Sequence, residues 1–527
     1  MSQDLTYLKI NSSGQSTYRG GSHWEAILDS IADLRESVED EDVDDAIPED
    51  ITKDEQYPSF SKVVIIGVPP PVTRDVLISS LPPKHIADRL LWHWFNSTDP
   101  ALGMIHQPTF LTQYDMLWSQ PHKISTMWLA LLYCILSLGS KIALFTITNE
   151  RRGTIHASLN PDKLQQLAAS AMALADYTKP QRYVLEALML LVSCEYMNFG
   201  RGHHIWLMLS YIIRLALRMG YHRDGDNYAS ISVFDAEMRR RAWNIMYTFD
   251  VLHSYQEGMP SMILDILSDT KPPQYLLDVD FGPDSKELPI PRSPSEVQPV
   301  SYRVIKNRLS KTFARACDMS NMTQAPDYDE VVKLEQQIEH IRADTPANLK
   351  FAGMSQAILD TPGMIFNRYK LELLFHKTRC VLHRRYMSQD SVGSPKERSR
   401  EICVKAAMRI MEHHEAIFVA AQDGGQLSSS RFYVAAMNAA DFLLGAMILC
   451  LELHLISTAP SPTLAGPNQD RVEEMRSLIE KSYNIWKQPV NHFADTEKAA
   501  KAMEAILQKI PRPSARKSKS ASFNICC

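Results

Sequence analysis

Cysteine is scarce in this 527-residue sequence, and its eight thiols stand almost entirely apart. Cys134, Cys194, Cys317, Cys380, Cys403 and Cys450 occur singly, most of them in apolar stretches such as WLALLYCIL and LLGAMILCL. A thiol in such a setting behaves as a small hydrophobe. Only Cys526 and Cys527 adjoin, and no Cys-x2-Cys occurs. That excludes the paired-thiolate spacing of zinc sites within the sequence, and a secreted disulfide framework does not fit a chain of this length. The expected compartment is a reducing one.

Other absences narrow the function. Lysine and arginine total 56 against 61 acids, a net charge of -5, and no long segment has the basic excess of a DNA-binding domain. There is no Gly-x-Ser-x-Gly, no phosphate loop and no Gly-x-Gly-x-x-Gly. No catalytic residue is therefore assigned, and the chain is read as a non-enzyme. His203-His204 and His413-His414-Glu415 lack the His-x3-His spacing that turns two ligands toward one ion, so no metal site is expected. Long apolar runs are missing too. Met127 to Leu138 is expected to stop at Gly139, Ser140 and Lys141, and Phe442 to Leu451 at Glu452. Both fall short of the roughly 20 residues that span a bilayer, so they are read as buried helices and no membrane contact is expected. The opening MSQDLTYLKINSSG has no apolar signal region.

What is present is helical periodicity. Ser22 is placed to cap a helix through Trp24, Ile27, Leu28, Ile31 and Leu34. Val38 to Glu55, VEDEDVDDAIPEDITKDE, is acidic and aperiodic, the mark of a solvated linker rather than an activation segment with interleaved aromatics. Lys62-Val-Val-Ile-Ile-Gly reads as an extended arm. Helical signals then cover Lys84 to Phe95, Phe110 to Leu117, Ser125 to Leu144, Pro161 to Asp176, Tyr183 to Met197, His204 to Met219 and Phe234 to Tyr255. In His204 to Met219 apolar residues fall on nearly every side, which predicts burial all round except for Ser210, Arg214 and Arg218. Gly220 ends that helix. Glu237 and Arg241 stand four apart in the favourable acid-first order. Lys271 to Val300 is a Pro/Ser/Asp loop, after which helical patterns resume to about Ile456, and two more helices follow Ser457 to Asn468. PRPSARKSKSASFNICC is a basic tail. Its terminal thiols resemble a prenylation signal without the GTPase fold that such a signal accompanies, and it reads as a solvated end.

The fold class is therefore all-α, a large multi-helical body with a disordered acidic N-terminal linker and a basic C-terminal tail. Four regions are expected: an N-terminal extension with the linker (1–75), a core (76–290), a C-terminal helical region (291–510) and a disordered tail (511–527). The Met-rich helices, with 24 methionines in the chain, suit either ordinary core packing or an adaptable pocket of unknown location.

Several segments occur in a telling order: SHWEAILDSIADL, LPPKHIADRLLWHWFN, IHQPTFLTQYDMLW, IIRLALRMGYHRD, FDAEMRRRAWNIMYTFDVLHSYQEGMPSMI and PPQYLLDVDF. Together, over Gln15 to Phe281, they resemble the middle homology region of fungal zinc-cluster (Zn2Cys6-type) transcription factors. The residues that carry the resemblance are Trp24, His106, Pro108, Phe110, Arg214 and Gly220. It continues through His222, Arg223, Asp224, Glu237, Arg240, Arg241, Trp243, Asp250, Gly258 and Pro260. The resemblance implies a helical regulatory domain in the nucleus, controlling a metabolic or biosynthetic pathway such as secondary metabolism. The motif residues would then be structural, pinning a loop to adjacent helices by charge-assisted hydrogen bonds. Members normally carry six clustered thiolates around two zinc ions. No cysteine precedes Cys134 here, so no DNA-binding residue is assigned and no cofactor is expected in this chain, with zinc only if a cluster lies upstream.

The expected partners are other transcription factors or coregulators, a second copy of the chain, and a small-molecule effector, in preference to DNA. Two alternatives stay open. One is a truncated view of a full DNA-binding activator. The other is a small-molecule-binding or catalytic protein on the same helical scaffold.

Overall fold

The computed structural model describes residues 7–10, 16–28, 31, 70–146, 160–197, 202–351, 353–354, 357–387, 394, 396–458, 467–488 and 494–509. The acidic stretch, the Lys62 arm and the basic tail with its two cysteines lie outside them.

Among the described residues the body is all-helical apart from one short antiparallel pair, β1 (Tyr7–Ile10) and β2 (Ser16–Arg19), joined with Tyr7 opposite Arg19. Periodicity gave no sign of it, because four-residue strands carry too few alternations to read.

The short α1 (Trp24–Leu28) and α2 (Arg74–Ser79) precede α3 (Lys84–Phe95), α4 (Gln107–Ser119) and α5 (Thr126–Thr146). Next come α6 (Pro161–Leu174), α7 (Val184–Tyr196), α8 (Gly202–Arg218) and α9 (Val233–Gln256). The later set is α10 (Gln298–Asn321), α11 (Tyr328–Asp344), α12 (Pro362–His383), α13 (Glu397–Ala420), α14 (Arg431–Ser457), α15 (Pro467–Trp486) and α16 (Ala494–Lys509).

Helices close in sequence pack side by side: α5 on α3, α6 and α7, then α7 on α8, α8 on α9, α9 on α10, α10 on α12, and α12 on α13. The α13 helix meets α14 and α15. One continuous cluster of buried apolar side chains runs from Trp24 to Ile506.

The central α5 follows the expected helix, Ser125 to Leu144, to within two residues, but its apolar run is longer than expected. Gly139, Ser140 and Lys141 do not stop it. The helix continues to Thr146, and its apolar window, Thr126–Leu144, is long enough to cross a membrane by composition alone. That window is 89% buried within the body, which identifies it as a core helix. Gly139 is a contact glycine here. A Cβ on it would lie 2.1 Å from the Leu90 carbonyl oxygen, so its lack of a side chain lets α3 and α5 approach closely. Lys141 stays inside because its ammonium donates to Gln165 Oε1 at 3.1 Å and to the Cys194 carbonyl at 3.0 Å.

Two smaller departures follow from side-chain placement. His23, not Ser22, stands before α1, its Nδ1 accepting the Glu25 N–H at 3.3 Å, while the Ser22 N–H is spent on Asn321 Oδ1 at 3.0 Å. Leu207 on α8 is half exposed, so that helix shows solvent a wider face than its composition suggested.

The α1 segment ties distant parts of the chain together. Trp24, Ile27, Leu28 and Ile31 are buried, and α1 lies against α14. Arg384 donates to the His23 carbonyl at 3.1 Å, and the Gly20 N–H donates to the Gly258 carbonyl at 2.6 Å.

Candidate functional site

The motif residues gather mainly around α9 and the loops that flank it. Gly220 (φ 72°) and Gly258 (φ 67°) end α8 and α9 in the same way. In each case the residue after the glycine donates back five positions, Tyr221 to the Ala216 carbonyl at 3.0 Å and Met259 to the Ser254 carbonyl at 2.7 Å. That left-handed stop needs a residue without a Cβ. After the first stop the chain turns through His222, whose carbonyl accepts from Ser268 Oγ at 2.9 Å and the Asp269 N–H at 3.2 Å.

Asp224 is then buried facing α9. Its carboxylate accepts from Arg240 Nε at 2.9 Å and Nη2 at 2.6 Å, and from the backbone N–H groups of Lys271 at 2.8 Å and Asp226 at 3.1 Å. Burial alone would raise its pKa. The Arg240 fork and the two amides outweigh that and hold the carboxyl well below the usual range. The next residue on α9, Arg241, donates to Glu237 at 3.3 Å, to Asp278 Oδ1 at 2.5 Å and to the Leu276 carbonyl at 2.8 Å. Glu237 also accepts the Gln274 N–H at 3.2 Å, and burial leaves its pKa raised.

The 276–281 loop is held from its other side by His106. Its Nε2 faces the carbonyls of Asp278 at 2.8 Å and Phe281 at 3.1 Å. Carbonyls only accept, so Nε2 carries the proton. Nδ1 accepts from Thr109 and caps α4, whose first turn contains Pro108. Phe110 stacks on Trp128 at 5.3 Å between ring centres. Asp250 accepts from Ser261 Oγ at 2.6 Å and the Ile263 N–H at 3.0 Å, which fixes the loop after α9.

Trp243 is buried beside His222, their ring centres 6.4 Å apart. Arg223 makes a loose exposed pair with Asp269 at 3.9 Å. Three motif residues lie elsewhere: Trp24 under α14, and Arg214 and Pro260 exposed. In all, the motif builds a charge-locked set of loops, and two of its residues, His106 and Phe110, also line a cavity of about 1170 Å³.

More open space is next door, and sequence reasoning did not point to it. A cavity of about 830 Å³, counting the part open to solvent, lies between α7 and α9 on one side and α10, α12 and α14 on the other. A wider one of about 1630 Å³ adjoins it, and both are bounded by Asp99, Pro100, Thr248, Phe249, Lys306 and Lys370. The lysines are the surprise. Lys377 is paired with Asp441 at 2.6 Å. Lys306 and Lys370 are only 8% and 7% exposed, and neither has an anion within hydrogen-bonding reach among the described residues. Lys370 lies over the Phe366 ring at 4.1 Å and Lys306 over Tyr302 at 5.7 Å.

Burial lowers both ammonium pKa values, helped by repulsion from Lys377 on Lys306 and from Lys306 on Lys370. Lys306 comes down to about 8. Arg303, one turn before Lys306 on α10, adds a third cation to the wider cavity. The nearby Asp99 is already engaged by the Ala101 N–H at 2.8 Å, Ser193 Oγ at 3.2 Å and Trp94 Nε1 at 3.4 Å.

One cluster has metal-ligand chemistry. Glu372, His376 and His413 bring ligand atoms within 4.8 Å of one another. His413 turns to this group from α13, while His414 points away to Ser482 Oγ at 3.0 Å. The cluster is already knit by the His376–Glu372 contact at 3.3 Å and by Arg342, 3.7 Å from Glu372. Both contacts are to Glu372 Oε2, and among the described residues His376 Nδ1 and His413 Nε2 are buried with no hydrogen-bond partner.

Comparison with known proteins decides the family. The fungal specific transcription factor domain matches residues 90–338. Zn(2)-C6 fungal-type transcription factor mpsB of Macrophomina phaseolina is 33% identical over 94% of this chain and 67% of its own length.

The chain belongs to the Zn(2)-C6 fungal-type transcription factor family.

Two more fungal transcription factors align as broadly. Zn(2)-C6 fungal-type transcription factor pigI of Monascus ruber is 33% identical over 94% of this chain and 62% of its own length. The equisetin cluster transcription factor eqxF of Fusarium heterosporum is 30% identical over 95% of this chain and 72% of its own length. The chain thus spans about two thirds of the length of these relatives. The matched domain begins within α3 and ends within α11, so it takes in both the charge-locked loops and the α10 cations, Arg303 and Lys306.

Proposed function

We propose that this chain is the regulatory region of a nuclear transcription factor that controls a biosynthetic gene cluster. It acts through contacts with other transcription factors or coregulators, and its activity is set by a small-molecule effector. The observation that carries this reading is the alignment of nearly the whole chain, 94–95% of it, with fungal regulators, one of them named for a biosynthetic cluster. The helical body supports it. Among the described residues most of the assigned motif, Arg214 and Pro260 apart, is tied up in structural contacts, and the large cavity lies within the aligned region with charge left over for a ligand. The motif residues, on this reading, hold the loops that frame the cavity: the 276–278 backbone is bonded to Arg241 and also lines the cavity wall. No catalytic role is assigned to any residue.

Deletion of the gene, followed by transcript sequencing, tests the proposal. A coordinated loss of expression across one contiguous set of biosynthetic genes is expected. An unchanged transcript profile under conditions where the wild-type strain expresses such a set would overturn it.

A further inference from the structure

The strongest unexplained feature is the stretch of positive charge between α10 and α12 that has no paired anion among the described residues. On α10, Arg303 and Lys306 are three apart and share a face. Lys370 meets them from α12, and all three border the same cavity. An unpaired ammonium group in a largely buried position is costly, and folded proteins supply such groups with a counter-charge or do without them. Lys377, on the same helix two turns on, shows the usual solution in its bond to Asp441 at 2.6 Å. The carboxylates that face the set are engaged elsewhere: Asp99 accepts from three donors, Asp278 from Arg241, and Asp441 from Lys377. Beyond the lysines the inner cavity turns apolar, walled by Met197, Phe249, Leu252 and Leu374.

We propose that this cavity binds a small organic acid whose carboxylate sits among Arg303, Lys306 and Lys370 and whose apolar body extends toward Phe249 and Leu252. Arg303 offers the planar fork that suits a carboxylate, and the two lysines add point charges. The apolar wall excludes water from the rest of the ligand, as in most small-molecule sites. The ligand supplies the counter-charge that the described residues lack. It also bridges α10 and α12, two helices that pack on each other, and through α10 it touches α9 with its charge-locked loops. The proposal rests on the effector reading given above and names the effector's chemical class.

The test is calorimetric titration of the purified full chain with decanoate, which joins one carboxylate to an apolar tail. Decanol serves as the neutral control and inorganic phosphate as the anion without a body. Decanoate is expected to bind at one site at least tenfold more tightly than either control. Lys306→Met and Lys370→Met should each weaken it tenfold or more without lowering the thermal midpoint. Arg303→Met gives a third, less buried variant with the same expected direction, should either lysine variant fail to fold. Lys405→Met, on the exposed face of α13, should leave binding unchanged.

Equal binding of decanoate and decanol, equal binding of phosphate, absence of binding, or folded variants that bind as the wild type does would each overturn the proposal. None of these results touches the transcript experiment. A failed titration with a positive deletion result removes the ligand and leaves the regulator. A negative deletion result removes the regulator whatever the titration shows.

Discussion

Two neighbouring regions bury positive charge and treat it in opposite ways. Around the start of α9, Arg240 and Arg241 are 2% and 3% exposed, and each guanidinium is bonded to carboxylates, Arg241 also to a carbonyl and packed over the Phe281 ring. Between α10 and α12, Lys306 and Lys370 are almost as deeply buried and meet aromatic rings and each other's field. The first arrangement is a closed account of donors and acceptors, which is what a structural lock requires. The second is stable only because the rest of the core carries it. Burial depth alone therefore does not tell a structural charge from a binding one, and the partner list does.

The largest expected effect comes from opening the lock. Arg240→Met leaves Asp224 and Asp226 without their shared cation, and breaking a buried pair on one side costs about 3–5 kcal/mol. Urea unfolding should show that loss. Arg240→Lys should recover little of it, since a lysine cannot reproduce the two bonds to Asp224 at 2.9 and 2.6 Å. A loss below about 1 kcal/mol would mean that the lock is not structural, and the comparison would fail at its first term.

Lysine removal should go the other way. Lys306→Met takes an unpaired charge out of a buried site and keeps the packing volume, so a gain on the order of 1–3 kcal/mol is expected. The pH dependence sharpens this. The folded Lys306 titrates at about 8 and an unfolded lysine near 10.5, so between those values the unfolded chain holds the extra proton. The unfavourable contribution is thus greatest below pH 8 and fades as pH rises toward 10.5. Wild type should gain on the variant over that window. A constant difference between the two would show that Lys306 is not under electrostatic strain.

Buried histidines give a smaller and more general effect. Burial holds His253 and His413 down to about 4 and His414 to about 3, whereas an unfolded histidine titrates near 6.5. Below pH 6.5 the unfolded chain takes up protons that the folded chain refuses, so their contribution to stability is lost as pH falls toward 4. Each adds up to about 1.4 kcal/mol per pH unit to that loss. In His414→Gln the acid slope of the urea midpoint should flatten by one proton. An unchanged slope would mean that His414 is protonated in the fold.

Much of this architecture was legible in the residues. Lys84–Phe95 was read to its ends, and the helices from α5 to α9 to within a few residues, because their apolar spacing is strong and Pro161 and Gly220 mark two of their ends. Only the apolar run of α5 was cut short, at Gly139, because a glycine that breaks an apolar run and one that admits a neighbouring backbone look alike in one dimension. The salt-bridge partners of α9 were half legible. Glu237 and Arg241 are on one helix, but Asp278 and Asp224 come from loops whose return no local spacing records. The cavity lysines left a signal that was passed over. Lys306 falls between Tyr302 and Leu309 on the buried face of α10, and Lys370 between Phe366 and Leu373 on that of α12. A lysine in an apolar stripe deserved the question that the histidine pairs received.

Arg214 supplies the last and smallest test, because it carries the family resemblance yet is neither locked nor buried. It projects from α8 as an exposed side chain, with no carboxylate in contact among the described residues. If the fold alone accounted for the motif, Arg214→Ala would be silent in every measurement. Surface substitutions of this kind change stability by no more than about 0.5 kcal/mol, so the urea midpoint should barely move. Transcript levels of the controlled genes should nevertheless fall, since an exposed arginine with no internal bond is free to meet a coregulator. A variant with unchanged stability and unchanged transcripts would place Arg214 outside function. A variant that unfolds would place it with Arg240, and the division between locked and available charge would need to be redrawn.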